Sequence, residues 1–265
     1  MDYLQLAILS LIQGITEFLP ISSSAHLLLP HHLLGWKDQG LAFDTAVHLG
    51  SLIAVLSYFR TDIVRLTSAL TGAIMTRQQS SDSRFAIFLI IASLPVLIVG
   101  YFSRTFVESN LRSLEVITLA TFVFAIALLV ADLTGRRQRD ANTLQLSSAL
   151  LIGLSQCVAL IPGASRSGVT MTMALMLGFT REGASRISFM IAIPAIAGAC
   201  LLKISDLMNS GQSVDWLMML TGGLIAAVSA YLCVRLFLGL IEKIGFLPFI
   251  IYRLILSSML FFMMI

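Results

Sequence analysis

The stretch Glu17-Phe-Leu-Pro-Ile-Ser-Ser-Ser-Ala-His26 interrupts an apolar N-terminal segment, and Pro162-Gly-Ala-Ser-Arg-Ser-Gly168 interrupts a second one. Lipid cannot hydrogen-bond backbone or charge, so such groups at membrane depth face a cavity or one another. The first stretch offers a carboxylate, three hydroxyls and an imidazole, and the second offers a guanidinium between hydroxyls. Together they predict a site for an anionic group such as a phosphate.

The composition of the 265-residue chain is that of a helical membrane protein. Hydrophobic residues make up 57% of it and charged residues only 12%, whereas an ordinary soluble domain has about 25% charged residues. The net charge of +3 does not indicate nucleic acid binding, because the basic residues lie in loops rather than on one stripe. The three cysteines are far apart in apolar sequence, and we interpret them as small buried hydrophobes.

The sequence predicts ten apolar helices, several of which approach the roughly 20 residues that a full membrane crossing needs. They are 3–18, 21–34, 42–59, 85–103, 113–133, 144–160, 168–178, 187–204, 216–234 and 246–264. The first two segments, and likewise 144–160 and 168–178, are short and meet at a polar break. Each pair therefore predicts a re-entrant helical hairpin whose tip lies inside the protein. The predicted fold is an all-α polytopic membrane protein with one integral membrane domain, 1–265.

The chain also resembles itself. A glutamine followed by Leu19-Pro20 and serines matches a glutamine followed by Ile161-Pro162 and serines. Each half then reads as a hairpin plus three transmembrane helices, with repeat one at about 1–133 and repeat two at about 144–265. An odd number of crossings inverts the second copy, and inverted-topology repeats place a binding site at their interface near the membrane midplane.

Loop charge predicts the orientation. The connections 60–84, 134–143 and 235–245 carry arginine or lysine, whereas the turn 205–215 carries neither. By the positive-inside rule the basic connections are cytoplasmic, so the first hairpin opens from outside and the second from inside. The connection 102–112, with two arginines, is the weakest point of this assignment.

Glu17 is the first candidate for chemistry, since it is the only acid between Asp2 and Asp38. Gln13 lies four residues earlier and shares a helix face with it. One turn before the break, Glu17 can ligate a hard cation or accept a proton. The alternative is an ordinary ion pair with a nearby arginine.

Ser22, Ser23, Ser24 and His26 follow the break. Serines here can simply cap the next helix. His26, three residues after Ser23, can also place an imidazole near a hydroxyl, as in an activated oxygen nucleophile.

The second break predicts an anion cradle. Glycines allow the backbone to approach a ligand, Arg166 offers a planar fork for phosphate oxygens, and a helix beginning nearby points free N–H groups at the same place. The candidate binding residues are Gly163, Ser165, Ser167, Gly168 and Thr170. A structural pairing of Arg166 with Glu17 is compatible with this role.

Two further groups stand outside the breaks. Asp44 and His48 share a helix face and either line the site or bond one another. Arg181, Glu182 and Arg186 are interpreted as a solvated loop cluster with a local salt bridge.

The two breaks resemble the signature regions of the bacterial undecaprenyl-diphosphate phosphatases, the bacitracin-resistance family. The stretches 43–50 and 246–253 are also similar to that family, so the resemblance covers essentially the whole chain. It implies hydrolysis of undecaprenyl diphosphate to undecaprenyl phosphate, the lipid carrier of cell-wall synthesis, with a divalent cation, Mg²⁺ or Ca²⁺. It also implies a multi-pass protein of the bacterial inner membrane.

Two positions depart from the family pattern. Gln13 stands where many members have a second glutamate, and Ala25 where glycine is common. A metal site with two carboxylates is therefore not expected. The metal candidates are Glu17 and, beside it, Gln13, together with substrate phosphates and water.

The predicted catalytic residues are Glu17, Ser23, His26 and Arg166, with Ser22 and Ser24 among the substrate-binding residues. Ser23 is the preferred nucleophile, its proton passing to His26 or Glu17. His26 as nucleophile and a metal-activated water remain open, as does a homodimer. The partners are a polyprenyl diphosphate and membrane lipid. A lipid flippase or transporter using the same midplane site is the main alternative, and a protein that only binds lipid diphosphates is the second.

Overall fold

The computed structural model describes residues 2–210 and 214–264, and in these ranges the regular secondary structure is helical apart from one isolated bridge between Arg139 and Phe179. The helices are α1 (Tyr3–Thr16), α2 (Ser23–Leu34), α3 (Gly40–Tyr58), α4 (Arg60–Thr76), α5 (Ser81–Asn110), α6 (Leu114–Thr134), α7 (Leu146–Val158), α8 (Arg166–Met176), α9 (Arg181–Ser210), α10 (Trp216–Ile244) and α11 (Leu247–Met264), with a 3₁₀ turn at Ala141–Thr143. The all-α polytopic fold predicted from the sequence is confirmed.

Six helices of the described chain are long and apolar enough to cross a membrane, namely α3, α5, α6, α9, α10 and α11. The other apolar elements form two short hairpins, in which α1 packs on α2 and α7 packs on α8. Each hairpin is followed by three of the six long helices. This element order is the one that the inverted repeat predicts, and the repeat itself stays a prediction.

The hairpins enter the bundle from opposite ends. The first leads into the start of α3, whereas the second connects the end of α6 to the start of α9, where Asp132 and Arg181 form an ion pair. The tips meet inside the bundle, since the Gly163 N–H donates to Ser22 Oγ at 3.2 Å. The fold thus joins two segments that lie 141 residues apart.

Small residues let the first hairpin and α3 press against α10. A Cβ added at Gly14 would lie 2.0 Å from Ser229 Oγ, and one at Gly50 would lie 2.1 Å from the Gly223 carbonyl oxygen. Close backbone approach of this kind is the usual means of helix association in lipid, where apolar burial gives little drive. The opposite face of α10 is a stripe of exposed apolar side chains, at Leu217, Leu220, Leu224, Val228, Leu232, Leu236 and Leu240.

The prediction of a loop over 60–84 is wrong for most of that stretch, because residues 60–76 form α4. This helix presents exposed Val64, Ile74 and Met75 and is joined to α5 by the ion pair between Arg65 and Asp82. Its apolar residues are mixed with arginines and threonines, which is why it lacks the signal of a crossing helix. A short amphipathic helix of this kind suits a membrane surface.

Three long helices also extend beyond their predicted ends. α5 runs to Asn110 rather than 103, α9 begins at Arg181 rather than 187, and α10 runs to Ile244 rather than 234, so most of the predicted connection 235–245 is helical. The predicted local cluster at the start of α9 is wrong, because its arginines pair with distant acids. Arg181 binds both carboxylate oxygens of Asp132 at 2.7 and 2.8 Å, and Arg186 reaches Asp62 at 3.1 Å.

Candidate active site

The tips of the two hairpins have the same unusual backbone. Ser22 precedes α2 with φ +75°, and Ser165 precedes α8 with φ +71°. Non-glycine residues rarely adopt positive φ, and strained backbone of this kind concentrates at functional sites. The Ser165 hydroxyl accepts from the Gly168 N–H at 3.1 Å and thereby caps α8. The Ser22 hydroxyl accepts from the Gly163 N–H, so both strained serines are held within the tips.

Arg253 of α11 holds the two tips together. Its side chain is fully buried and donates to the carbonyl oxygen of Pro20 at 3.1 Å and to those of Gly163 and Ala164 at 2.9 and 3.2 Å. A fourth bond, to the Thr121 carbonyl oxygen, spans 3.3 Å. In lipid an unpaired carbonyl is costly, so one guanidinium satisfies the irregular backbone of both hairpins. From the sequence, position 253 stood out only as the end of the stretch 246–253, so the role of Arg253 was missed.

Glu17 lies at the end of α1, and its carboxylate accepts three hydrogen bonds. Ser23 Oγ donates to Oε2 at 2.6 Å, and Gln13 Nε2 donates to the same oxygen at 2.9 Å. The other oxygen, Oε1, receives Arg166 Nη2 at 3.3 Å. The carboxylate is thus aimed at the first hydroxyl of α2 by an amide on one side and a guanidinium on the other.

Arg166 is the first residue of α8 and the counter-charge of Glu17. Besides the carboxylate, it donates to the Ser188 carbonyl oxygen at 3.3 Å and lies 5.9 Å from the Phe18 ring centroid. Its side chain is 14% exposed. The structural pairing of Arg166 with Glu17 is confirmed, and Arg166 also lines a cavity described below. Its role in binding an anion stays a prediction.

A cavity of about 700 Å³ lies against these residues. Six of the predicted site residues line it: Glu17, Ser22, Ser23, Ser24, Ser165 and Arg166. The N-termini of α2 and α8 both begin at this cavity, and the positive end of each helix dipole favours an anion there. The cavity volume is that of a small-molecule site.

The other predicted residues of the second tip make contacts inside it. Ser167 Oγ donates to the Leu19 carbonyl oxygen at 2.8 Å, and Thr170 Oγ1 lies 2.7 Å from Ser188 Oγ. A Cβ at Gly163 would lie 2.5 Å from the Ile117 carbonyl oxygen, and one at Gly168 would lie 2.9 Å from Arg253 Nη1. These contacts favour a role in shaping the tip, and substrate contact by these residues stays a prediction.

His26 does not pair with Ser23. Its Nδ1 lies 2.7 Å from the Ser22 carbonyl oxygen and its Nε2 lies 2.6 Å from the Tyr252 hydroxyl. The two rings are stacked with centroids 5.6 Å apart. A carbonyl only accepts, so Nδ1 carries the hydrogen and Nε2 accepts from Tyr252. Both ring nitrogens therefore have hydrogen-bond partners, and the Ser23 hydroxyl donates to Glu17 instead.

Asp44 and His48 do line the cavity, together with Lys203 of α9. His48 Nδ1 lies 2.6 Å from the Asp44 backbone carbonyl oxygen, and Lys203 Nζ lies 3.5 Å from Asp44 Oδ2. Both interpretations of the Asp44–His48 spacing are therefore confirmed, because the two residues line the cavity and are also hydrogen-bonded to each other. Lys203 was missed, although it is the only lysine or arginine between Arg186 and Arg235, and a charge within an apolar helix indicates function.

The cavity is acidic overall. Among the described residues, five acids and three bases line it, a formal charge of −2: Glu17, Asp38, Asp44, Glu108 and Asp206 against Arg112, Arg166 and Lys203. Two exposed ion pairs lie at its mouth, Arg112 with Asp38 at 3.4 Å and Arg104 with Asp206 at 3.2 Å. Such pairs contribute little stability. A polyanionic ligand would need a counter-ion in this cavity.

Comparisons with a family model and with individual proteins point to the same family. Residues 6–259 match the family described as bacitracin resistance protein BacA. A protein of Alteromonas mediterranea named undecaprenyl-diphosphatase is 50% identical over 260 residues, which cover 98% of each chain. A protein of Alcanivorax borkumensis with the same name is 48% identical over 262 residues, or 99% of each chain.

Proposed function

The chain belongs to the bacitracin resistance protein BacA family, and we propose that it hydrolyses undecaprenyl diphosphate to undecaprenyl phosphate and inorganic phosphate. It is a multi-pass membrane phosphatase, and its product is the lipid carrier of cell-wall synthesis. The single observation that carries the mechanism is the contact of Ser23 and Arg166 with one carboxylate, that of Glu17, at 2.6 and 3.3 Å. This contact brings a hydroxyl, a base and a cation to one wall of the cavity.

The diphosphate lies in the cavity, and its polyprenyl tail lies outside it. A volume of about 700 Å³ suits a small headgroup, whereas the long hydrocarbon tail lies in the surrounding lipid. Arg166 offers its fork to the oxygens of the terminal phosphate. Lys203, on the facing helix α9, is the second cation available to the phosphate that remains on the lipid.

Ser23 is the nucleophile and Glu17 its base. The hydroxyl already donates to Glu17 Oε2, so the proton has an acceptor as the Ser23 oxygen attacks phosphorus. The bond from phosphorus to the bridging oxygen breaks, and the electron pair leaves with undecaprenyl phosphate. Arg166 and the N-terminal ends of α2 and α8 stabilise the charge on the transferring phosphoryl group, which is the principal catalytic contribution in this chemistry.

A divalent cation, Mg²⁺ or Ca²⁺, would enter with the substrate. No three His, Cys, Asp or Glu side chains converge as ligands within the described ranges, so phosphate oxygens and water would supply most of the coordination. Glu17 fits as the protein ligand. Gln13 Oε1 is buried without a hydrogen-bond partner, which fits a second, neutral ligand. The cation would neutralise phosphate charge in a cavity that is itself acidic.

The protein resides in the bacterial inner membrane with the cavity open to the outer face. The mouth residues Asp38, Glu108 and Asp206 lie at the end of the bundle where α3 begins and where α5 and α9 end. The connections 60–84 and 134–143, which hold most of the loop arginines, lie at the other end. The positive-inside rule places that basic end in the cytoplasm.

Phosphate release from a polyprenyl diphosphate by the purified protein in detergent tests the activity. We expect stoichiometric release of phosphate and of lipid monophosphate, and loss of turnover with a chelator that Mg²⁺ or Ca²⁺ restores. A protein that only binds or moves the lipid releases no phosphate, and that result would refute the proposed function. Turnover that is unchanged by chelator would refute only the requirement for a divalent cation, not the phosphatase activity.

A further inference from the structure

His48 has a free ring nitrogen in the same cavity as Ser23. Its Nδ1 lies 2.6 Å from the Asp44 carbonyl oxygen on its own helix, and because a carbonyl only accepts, Nδ1 carries the hydrogen. Nε2, on the far side of the ring from the helix backbone, therefore keeps its lone pair. In the described part of the chain no group hydrogen-bonds this nitrogen.

The other histidine of the site is not available in this way. His26 has a carbonyl oxygen 2.7 Å from one nitrogen and a tyrosine hydroxyl 2.6 Å from the other. It is also not among the residues that line the cavity, and its ring stacks on Tyr252. Of these two imidazoles, His48 is the one placed to exchange a proton with a molecule in the cavity.

The surroundings of His48 keep its ring in position. Asp44 fixes Nδ1 through its backbone oxygen, while its side chain binds Lys203 Nζ at 3.5 Å and so ties α3 to α9. The imidazole also lies within electrostatic range of the Glu17 carboxylate. A base held by hydrogen bonds on one side and open on the other is the arrangement used for proton transfer.

The proposed reaction needs a second base. When Ser23 attacks, its proton goes to Glu17, and this proton must later return to the Ser23 oxygen when that oxygen becomes the leaving group. Glu17 is therefore protonated at the moment when water must lose a proton to attack the phosphoserine. Another group with a free lone pair has to accept that proton.

We propose that His48 is this group, the catalytic base that activates water in the second half of the reaction. The inference rests on the proposed function and on Ser23 as nucleophile. Water attacks the phosphorus of phospho-Ser23, its proton passes to His48 Nε2, and the bond from phosphorus to the Ser23 oxygen breaks. That oxygen takes the proton held by Glu17, phosphate leaves, and His48 releases its proton to solvent through the cavity.

The His48→Asn variant tests the proposal. An asparagine amide can replace the Nδ1–H bond to the Asp44 carbonyl but has no counterpart of Nε2. With a substrate labelled in its terminal phosphate, we expect one rapid equivalent of lipid monophosphate per enzyme, followed by turnover slowed at least about 100-fold. The label should accumulate on Ser23, where mass spectrometry locates it, and added imidazole should restore part of the turnover.

His31→Asn is the matched control, because His31 Nδ1 also lies near a backbone carbonyl oxygen, that of Trp36 at 2.8 Å, but away from the cavity. We expect it to turn over like the wild type. His48→Gln is a second variant that repeats the test if His48→Asn unfolds, with gel filtration and thermal unfolding as the check.

Turnover of a folded His48 variant within about threefold of the wild type would overturn the proposal, since a lost general base costs far more. So would slow turnover without labelled Ser23, and so would the absence of labelled Ser23 from the rapidly quenched wild type and both variants. Failure of the wild type to release any phosphate is a different result, because it refutes the proposed function itself.

Discussion

Glu17 and Arg166 are 149 residues apart in the chain, yet Arg166 Nη2 lies 3.3 Å from Glu17 Oε1. The pair joins the ends of two hairpins that enter the bundle from opposite sides. Because one partner comes from each hairpin, the ion pair exists only when both tips are in place. A buried pair of this kind is costly to desolvate and adds little stability on its own, so we interpret it as a device for positioning the site.

Arg166→Lys should lower kcat/KM at least about 100-fold, because an ammonium cannot replace the planar fork on both the Glu17 carboxylate and a phosphate. Phosphate release by the purified variant measures the effect. Arg186→Lys is the control, since Arg186 pairs with Asp62 at the basic end of the bundle. Equal activity of the two variants would contradict the assigned role of Arg166.

Ser23→Ala should lower kcat about 1,000-fold or more with the fold retained, because no other hydroxyl donates to Glu17 Oε2 in the described residues. Ser68→Ala, at an exposed position of α4, provides the comparison. Substantial residual turnover in Ser23→Ala would instead favour direct attack by water on the substrate.

Gln13→Glu should make the protein depend more strongly on a divalent cation. The Gln13 amide now donates to Glu17 Oε2 at 2.9 Å, and a second carboxylate there would repel the first. We expect a lower Tm in chelator and recovery with Mg²⁺ or Ca²⁺, since a cation at about 100 times its Kd stabilises by about 2.7 kcal/mol. If the Tm of the variant changes neither with chelator nor with Mg²⁺ or Ca²⁺, the result would argue against a cation at Glu17.

Lys203→Met should raise KM about tenfold and change kcat little, because Lys203 is proposed to bind the phosphate that stays on the lipid in substrate and transition state alike. Initial rates over a range of substrate concentration separate the two constants. Lys243→Met, exposed at the end of α10, should leave both unchanged. A fall in kcat alone would point to a different role for Lys203.

Arg253→Met should destabilise the protein strongly, because Arg253 donates hydrogen bonds to four backbone carbonyl oxygens. Each buried carbonyl left without a partner costs about 1 to 3 kcal/mol. Thermal unfolding in detergent measures the loss. The comparison is Arg235→Met, which changes an exposed arginine of α10. Similar Tm values for the two variants would show that the tips hold together without the bonds from Arg253.

The positions of the two breaks could be predicted from sequence because polar residues stand out against apolar neighbours. Helix ends were less predictable. Arg104 lies in the extension of α5 beyond 103 and pairs with Asp206 across the mouth, and a sequence does not show that such a charge has a partner.

The pairing of side chains within the site was only partly predictable. The spacing of Ser23 and His26 suggested a bond, but helix side chains lean towards the N-terminus, so the His26 ring reaches the carbonyl of Ser22 instead. Lys203 and Arg253 carried a usable signal as charges in apolar helices. Only the structure shows that Lys203 faces the cavity and that Arg253 lies between the tips.

The bonds from Arg253 to both hairpin tips also affect when the enzyme becomes active. Among the described helices, α11 is the last to leave the ribosome, so a nascent chain can insert both hairpins before the guanidinium that joins them exists. Until then the carbonyls of Pro20 and Gly163 lack their donor. Maturation of the pocket is therefore coupled to the synthesis of α11, and we expect a chain that stops before Arg253 to lack activity.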